Sequence, residues 1–149
     1  MKKSVLNKKL IGKQYPAITY KIKKDMLVSF AKATEQVNPI FFDEQIAKEK
    51  GHPTIVAPPT FLTVVTMQQE KPYEYLEKIN ISLSSVLHAG QEYSYYHPIY
   101  AGDEIKMKYK IDDIYDKKNG LITFIAFRSK YINQNNIKVA ESVSTLVIR

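Results

Sequence analysis

Three long stretches in the second half of the chain predict strands, and the first of them alternates apolar and polar residues. In residues 104–115, "EIKMKYKIDDIY", apolar side chains occupy every second position from Ile105 to Ile111, with lysines between them. A period of two is typical of a strand with one buried face. Residues 121–132 and 137–148 continue as strands after the turn sequences "DKKNG" and "NQNN". At ~3.3 Å per residue, such strands of about eleven residues reach roughly 35 Å, enough to curve around a helix.

The first half of the chain changes to helical spacing. Residues 17–23 predict a short strand, and Asp25 is positioned to cap a helix that ends before Asn38-Pro39, because the residue before a proline avoids the helical region. A second, short helix is predicted from Asp43 to Gly51. The apolar positions of the first helix are Met26, Phe30, Ala33 and Val37, and those of the second are Ile46 and Ala47.

Residues 58–69, "PPTFLTVVTMQQ", are ambiguous. The β-branched residues favour a strand, whereas two prolines followed by residues that are apolar on every side favour a buried helix. We interpret the segment as a buried helix, with strand structure from residue 79 onward. The predicted fold class is therefore α+β, a curved antiparallel sheet wrapped around a central buried helix, in a single domain over residues 1–149.

Composition excludes several kinds of site. The chain has no cysteine and three scattered histidines, so we expect no metal and no disulfide. No apolar run approaches the ~20 residues that span a bilayer, and the N-terminal sequence lacks the apolar stretch of a signal peptide, so we expect no membrane association and a cytoplasmic location.

The formal charge of +7 is spread along the chain. Lysines are concentrated only in the first thirteen residues and in the alternating run from Lys106 to Lys110, and neither place has the interleaved arginines and aromatics of a base-reading surface. We therefore predict no nucleic-acid binding and interpret the alternating lysines as the solvent face of a strand. Four tyrosines cluster beside His97 and favour core or interface packing over a pocket: Tyr93, Tyr95, Tyr96 and Tyr100.

Three segments, in order, resemble the hot-dog fold of the MaoC-like (R)-specific hydratase and dehydratase family. They are "FAKATEQVNPIFFDEQIAKEKG" (30–51), "TIVAPPTF" (54–61) and "VLHAGQEYSYYHPIYAGDEI" (86–105). The last two are most similar to the N-terminal, first-half domain of that family. The resemblance covers nearly the whole chain and implies a single hot-dog domain.

Catalytic members of that family carry Asp-x-Asn-Pro-[Ile/Leu]-His-x-Asp, whose Asp and His manage protons during hydration of an enoyl thioester. The resemblance places the Asp position on Gln36 and the His position on Phe41, and it keeps Asn38-Pro39 and Asp43. An amide has no useful proton-transfer equilibrium near neutral pH and a phenyl ring has none, so neither replacement supports acid–base catalysis.

The oxyanion donor of those relatives is also replaced. They have His-Gly at the start of the central helix, where the glycine N–H polarises the thioester carbonyl. The matching pair here is Ala57-Pro58, and proline has no N–H to donate. The remaining candidates for catalysis are Glu35, His88 and His97. Glu35 points about 100° away from Gln36 on a helix, and His88 and His97 are more typical of structural histidines.

The resemblance therefore implies a degenerate, non-catalytic subunit that shapes the acyl-binding tunnel for a partner bearing the Asp/His pair. The implied ligand is an acyl-CoA or acyl-carrier-protein thioester, as in fatty acid metabolism, with no cofactor. The chain would pair as a homodimer or as a heterodimer with a catalytic MaoC-like subunit. The implied substrate-binding residues, which plain core packing equally explains, are Asn38, Phe41, Phe42, Ala57, Pro58, Thr60, Phe61, Val65 and Tyr93.

Two alternatives remain open. The first is a homodimeric hot-dog enzyme, either a hydratase with relocated groups or an acyl-CoA thioesterase that uses Asp43, Glu44 or Glu49. The second is an acyl-thioester binding module without turnover. Each alternative also predicts an oligomer, because one hot-dog sheet exposes an edge that relatives bury by pairing.

Overall fold

A five-stranded antiparallel sheet forms the framework of the chain. A computed structural model describes residues 6–149, so the charged residues Lys2 and Lys3 lie outside the described part. The strand order is β1-β3-β4-β5-β2, which places β1 and β2 at the two edges. The strands are β1 (Ile18–Lys21), β2 (Val86–Tyr95), β3 (Glu104–Lys117), β4 (Ile122–Ile132) and β5 (Lys138–Ile148). The predicted α+β class with a curved antiparallel sheet is confirmed.

The three predicted meander strands are paired as adjacent neighbours. Within β3, the apolar positions between Ile105 and Ile111 face the core, while Lys106 and Lys108 are exposed on the opposite face. The turn between β3 and β4 has left-handed backbone at Lys118, Asn119 and Gly120 (φ +50°, +56° and +83°). Asparagine and glycine adopt this conformation most readily, which explains why "KNG" reverses the chain there.

The first helix, α1 (Lys24–Ala33), is shorter than predicted. The hydroxyl of Thr34 donates to the carbonyl of Phe30 (2.8 Å), and Glu35 then adopts a left-handed conformation (φ +54°) that stops the helix. Val37 is therefore outside the helix and 92% exposed, so its prediction as an apolar helix position was wrong. The predicted cap was also wrong, because Asp25 lies inside the helix and accepts a hydrogen bond from its neighbour's N–H.

The second helix, α2 (Glu44–Glu49), begins and ends as predicted. The Asp43 carboxylate accepts a hydrogen bond from the N–H of Ile46 (3.0 Å), which is the expected N-cap contact. Gly51 follows the helix with φ +88°, a conformation that glycine adopts without strain.

The central helix, α3 (Leu62–Met67), has six residues and begins later than predicted. Thr60 has left-handed backbone (φ +67°), so the prolines before it lie outside the helix. Phe61, Leu62 and Val65 are buried, whereas Met67 is 42% exposed. The prediction of a helix buried on every side was therefore wrong. Residues 79–85 form turns instead of strand, and a fourth helix, α4 (Glu74–Glu77), was not predicted.

The core consists of two clusters on the inner face of the sheet. In one, Phe61 and Leu62 at the start of α3 pack with Leu27 of α1 and with Met107 and Tyr131 of the sheet. The other cluster joins α4 to β3 and β4 and contains stacked and edge-on aromatic rings of Tyr15, Tyr75, Tyr109 and Phe127. No helix within residues 6–149 combines the length and the apolar character that crossing a membrane requires.

Candidate functional site

An apolar cavity of about 380 Å³ opens beside the start of α3. Three segments wall it: the 3-10 turn Pro39–Phe41, the stretch that leads into α3, and the residues at the end of β2. Its lining residues are Phe41, Val56, Ala57, Pro58, Pro59, Phe61, Leu62, Tyr95, Tyr96, His97, Pro98 and Ile99.

Backbone hydrogen bonds hold the three walls together. The N–H of Val56 donates to the carbonyl of Ile40 (3.1 Å), and the N–H of Ala57 donates to the carbonyl of Ile99 (2.7 Å). The side chain of Asn38 accepts from the N–H of Ile40 (3.1 Å) and so caps the turn that carries the next residue, Phe41. The Asn38-Pro39 motif therefore has a structural role, because it positions one wall of the cavity.

The structure brings together the positions that the family resemblance assigns to catalytic groups. Phe41, Ala57 and Pro58 all line the cavity, together with Phe61. Gln36 is half-buried before the turn, and its N–H donates to the carbonyl of Ala31 (2.9 Å). No carboxylate is among the lining residues, and the one lining side chain that commonly acts as a general acid or base is His97.

Four other predicted substrate-binding residues are not among the residues that line this cavity. Thr60 precedes α3 and is exposed, and Phe42 is half-buried beside the turn. Val65 has no exposed surface and packs in the core. Tyr93 faces a smaller cavity of about 90 Å³ between α3 and the sheet, with a mixed polar and apolar lining, where it shares a hydrogen bond with the hydroxyl of Thr63 (2.6 Å).

Of the three fallback candidates for catalysis, one lines the cavity. Glu35 is exposed at the end of α1, and His88 is exposed on β2, with its Nε2 3.4 Å from the hydroxyl of Ser144. His97 is the one histidine among the cavity's lining residues, and it is exposed. The described residues 6–149 contain no group of three or more His, Asp or Glu side chains placed to hold a metal ion.

The carboxylates proposed for a thioesterase already have partners. The Asp43 side chain caps α2, and Glu49 accepts a hydrogen bond from Gln45 (3.3 Å). Glu44 forms ion pairs with Lys24 (2.6 Å) and Lys48 (2.8 Å), and the hydrogen bonds from these lysines lower the pKa of Glu44 to about 2. None of the three carboxylates is among the residues that line the cavity.

Sequence reasoning missed Tyr95 and Tyr96 as cavity residues. The ring of Tyr95 stacks on that of Tyr93 with 5.8 Å between centroids, and its hydroxyl oxygen accepts from the N–H of Thr60 (3.0 Å). Burial raises the pKa of Tyr95, so its hydroxyl stays protonated at neutral pH. The available signal was the period of two on β2, which places Tyr93 and Tyr95 on one face.

Comparisons with known proteins agree with this geometry. A family model described as "FAS1-like, dehydratase domain region" matches residues 9–142. A "UPF0336 protein" of Saccharopolyspora erythraea is 30% identical over 145 residues, covering 97% of this chain and 92% of that protein.

Solved structures with the hot-dog fold superimpose on nearly the whole chain. One is a (3R)-hydroxyacyl-ACP dehydratase complex, HadBC, from Mycobacterium tuberculosis, with a TM-score of 0.77 and 23% identity over 90% of this chain and 92% of that one. Another is a MaoC-like dehydratase from Rhodospirillum rubrum, with a TM-score of 0.69 and 20% identity over 93% of this chain and 91% of that one. The resemblance to MaoC-like hot-dog proteins is therefore confirmed at the level of fold.

Proposed function

The chain belongs to the FAS1-like dehydratase-region family, and on that premise we propose that it is the non-catalytic subunit of an (R)-specific enoyl-thioester hydratase or 3-hydroxyacyl-thioester dehydratase. Its cavity holds part of the acyl chain, and a partner subunit supplies the Asp and His that move protons. The observation that carries this proposal is that Phe41, Ala57 and Pro58 line one cavity. The family resemblance assigns these positions to the catalytic His and the oxyanion donor.

The chemistry of the wall supports binding without turnover. Phe41, Phe61 and Leu62 offer apolar surface, which suits a hydrocarbon chain. Hydration needs a group that accepts a proton from water and another that returns one to the acyl chain. The titratable side chains that line the cavity are two tyrosines and the exposed His97, with no carboxylate to pair with them.

The free edge of β2 supports a partner subunit. Among residues 6–149, β2 pairs with β5 on one side only, and no described strand pairs with the backbone groups on the other side of this ten-residue strand. Leu87, Tyr95 and Tyr96 on or beside this strand are 46–48% exposed. Exposed aromatic and aliphatic residues next to an unpaired edge suit a second sheet that continues the first. The HadBC dehydratase is itself a complex, and we propose a comparable pairing for this chain.

The test combines the purified chain with a hot-dog chain that carries an intact Asp-x-Asn-Pro-[Ile/Leu]-His-x-Asp motif. Crotonyl-CoA hydration, followed by loss of the enoyl absorbance, is expected to be at background for this chain alone. Co-purified mixed complexes are expected to be active, and replacing the partner's motif His with Ala is expected to abolish the activity. Robust hydration by this chain alone would overturn the proposal.

A matched experiment distinguishes the subunit from a homodimeric enzyme. Sedimentation of the chain alone and with the partner shows which pairing forms, and a Leu87→Lys variant places a charge beside the free edge of β2. We expect this variant to fold, because Leu87 is 46% exposed, and to lose the mixed complex. An unchanged complex would mean that the partner docks elsewhere.

A further inference from the structure

The Tyr95 hydroxyl is an uncommitted hydrogen-bond donor on the wall of the apolar cavity. Its oxygen accepts from the N–H of Thr60 (3.0 Å), and no described residue accepts its proton. A phenol oxygen that receives a hydrogen bond while its own proton has no partner presents a directed donor. The Tyr95 ring lines the apolar cavity and is 47% exposed, so its hydroxyl is accessible to a ligand that enters the cavity.

Neighbouring polar groups of the cavity wall already form hydrogen bonds or have no proton to donate. Pro58 and Pro59 have no N–H, and the N–H of Ala57 donates to Ile99. The Tyr96 hydroxyl, also on the wall, donates to the carboxylate of Glu141 (3.3 Å). His97 also lines the wall, and its side chain is exposed like that of Tyr95. Tyr95 differs from His97 because the N–H of Thr60 fixes the position of its hydroxyl oxygen, so Tyr95 offers a directed donor to a ligand in the cavity.

The backbone is strained at Thr60, the residue whose N–H bonds to the Tyr95 hydroxyl. Thr60 has φ +67°, a left-handed conformation that is a genuine outlier for a β-branched residue. Strain of this kind persists only where surrounding contacts impose it, and it concentrates at ligand sites. Here the strained residue supplies the N–H that holds the Tyr95 hydroxyl in place.

We propose that the Tyr95 hydroxyl donates a hydrogen bond to the carbonyl oxygen of a thioester whose acyl chain lies in the apolar cavity. This inference rests on the proposed function and adds the group that recognises the thioester. Tyr95, at the end of β2, thereby takes over the polar contact that Pro58, in the loop before α3, is unable to make. It acts by binding and orienting the thioester and transfers no proton.

The test uses two ligands that differ only in the carbonyl group. Hexanoyl-CoA contains the thioester, and S-hexyl-CoA is the thioether with the same chain and carrier. For the full chain, titration calorimetry is expected to show that Tyr95→Phe weakens hexanoyl-CoA about 5- to 10-fold, because one hydrogen bond is lost, and leaves S-hexyl-CoA unchanged. Tyr115→Phe is the matched control, since it removes a tyrosine hydroxyl from β3 that is not among the residues lining the cavity, and it is expected to change neither affinity.

The outcomes separate the two proposals. If the wild type binds neither ligand, the proposed function fails. If it binds both and Tyr95→Phe changes neither affinity, or lowers both equally, the assignment of the carbonyl contact is overturned.

A second measurement needs no variant. Difference infrared spectra of hexanoyl-CoA with a ¹³C carbonyl are expected to show the carbonyl stretch moving to lower frequency on binding to the wild type. An unshifted band would contradict the hydrogen bond even if Tyr95→Phe failed to fold.

Discussion

Phe41 and Pro58 line the same apolar cavity, although they come from two separate segments of the chain. Each occupies a position where active relatives are expected to carry a chemical group, and neither offers a proton. The structure therefore places both positions at one cavity. Restoring one of these groups alone is expected to be insufficient, because an acid–base pair and a carbonyl donor act on the same substrate.

Phe41→His is expected to leave the chain without hydration activity. The imidazole would reach the cavity, but Gln36 is an amide, and no lining carboxylate is present to orient or charge the ring. Crotonyl-CoA hydration by the isolated variant checks this. The same variant in the mixed complex controls for folding, since partner-dependent activity is expected to persist. Turnover by the isolated variant would show that another group in this chain completes the pair.

Asp43→Ala is expected to lower the free energy of unfolding by about 1 kcal/mol, because the cap on the Ile46 N–H is lost. Asn38→Ala removes the comparable bond to the Ile40 N–H and is expected to have a similar effect. Urea unfolding measures the free energy of unfolding of both variants. Asp43→Asn is the control, since asparagine caps helices about as well as aspartate. If Asp43→Ala abolished thioester binding without loss of stability, Asp43 would be a ligand contact instead.

Thr60→Gly is expected to raise the free energy of unfolding by roughly 0.5–1 kcal/mol. The left-handed conformation costs a residue with a Cβ roughly 1–2 kcal/mol, and the greater flexibility of glycine in the unfolded chain offsets part of that gain. The N–H that bonds to Tyr95 is retained. Thr60→Ala keeps a Cβ at the same φ and is expected to stay within about 0.5 kcal/mol of the wild type. A loss of stability in Thr60→Gly would show that the threonine side chain contributes more than its strain costs.

Lys108→Glu is expected to stabilise the chain by about 0.2–1 kcal/mol, because Lys108 lies directly opposite Lys130 across β3 and β4. The next outward pair on the same strands, Lys110 opposite Arg128, is also cationic. The gain is expected to fall in 0.5 M NaCl, since both side chains are exposed. Repeating the substitution in a Lys130→Ala background is the control, and an undiminished gain there would exclude the cross-strand pair as its cause.

Tyr131→Phe is expected to change the alkaline stability of the chain. Burial raises the pKa of Tyr131 to about 12, and the pKa in the unfolded chain is about 10. The unfolded chain therefore loses this proton first. The residue's contribution to stability is complete below about pH 10 and is lost, by up to roughly 2–3 kcal/mol, as the pH rises towards 12.

At pH 8 the variant is expected to be about 1 kcal/mol less stable than the wild type, because the hydrogen bond between Tyr131 and Ser142 is lost. This deficit is expected to shrink and then reverse above pH 11. Urea unfolding of both proteins at pH 8, 10 and 11.5 measures the difference, and the lysines and other tyrosines they share cancel. A constant deficit across this range would mean that Tyr131 does not titrate between the two pKa values.

The sheet and the second helix were predictable because their signals are local. Alternation around Ile105 and Ile111 reflects a strand with one buried face, and Asp43 with Gly51 marks both ends of a helix. The ends of α1 and α3 were not predictable in this way. Glu35 and Thr60 adopt left-handed backbone against their own preference, and surrounding contacts impose such a conformation.

The sequence by itself determined that Gln36, Phe41 and Pro58 supply neither an acid–base group nor, at Pro58, a backbone N–H, because residue identity decides which protons and donors exist. Only the tertiary structure decided that Phe41 and Pro58 meet Tyr95 at one cavity, because that meeting depends on hydrogen bonds between segments far apart in the chain. Residue chemistry is local and can be read from single positions. The direction of a hydroxyl depends on packing. The position of the Tyr95 donor is therefore set by the contact between β2 and Thr60, just before α3.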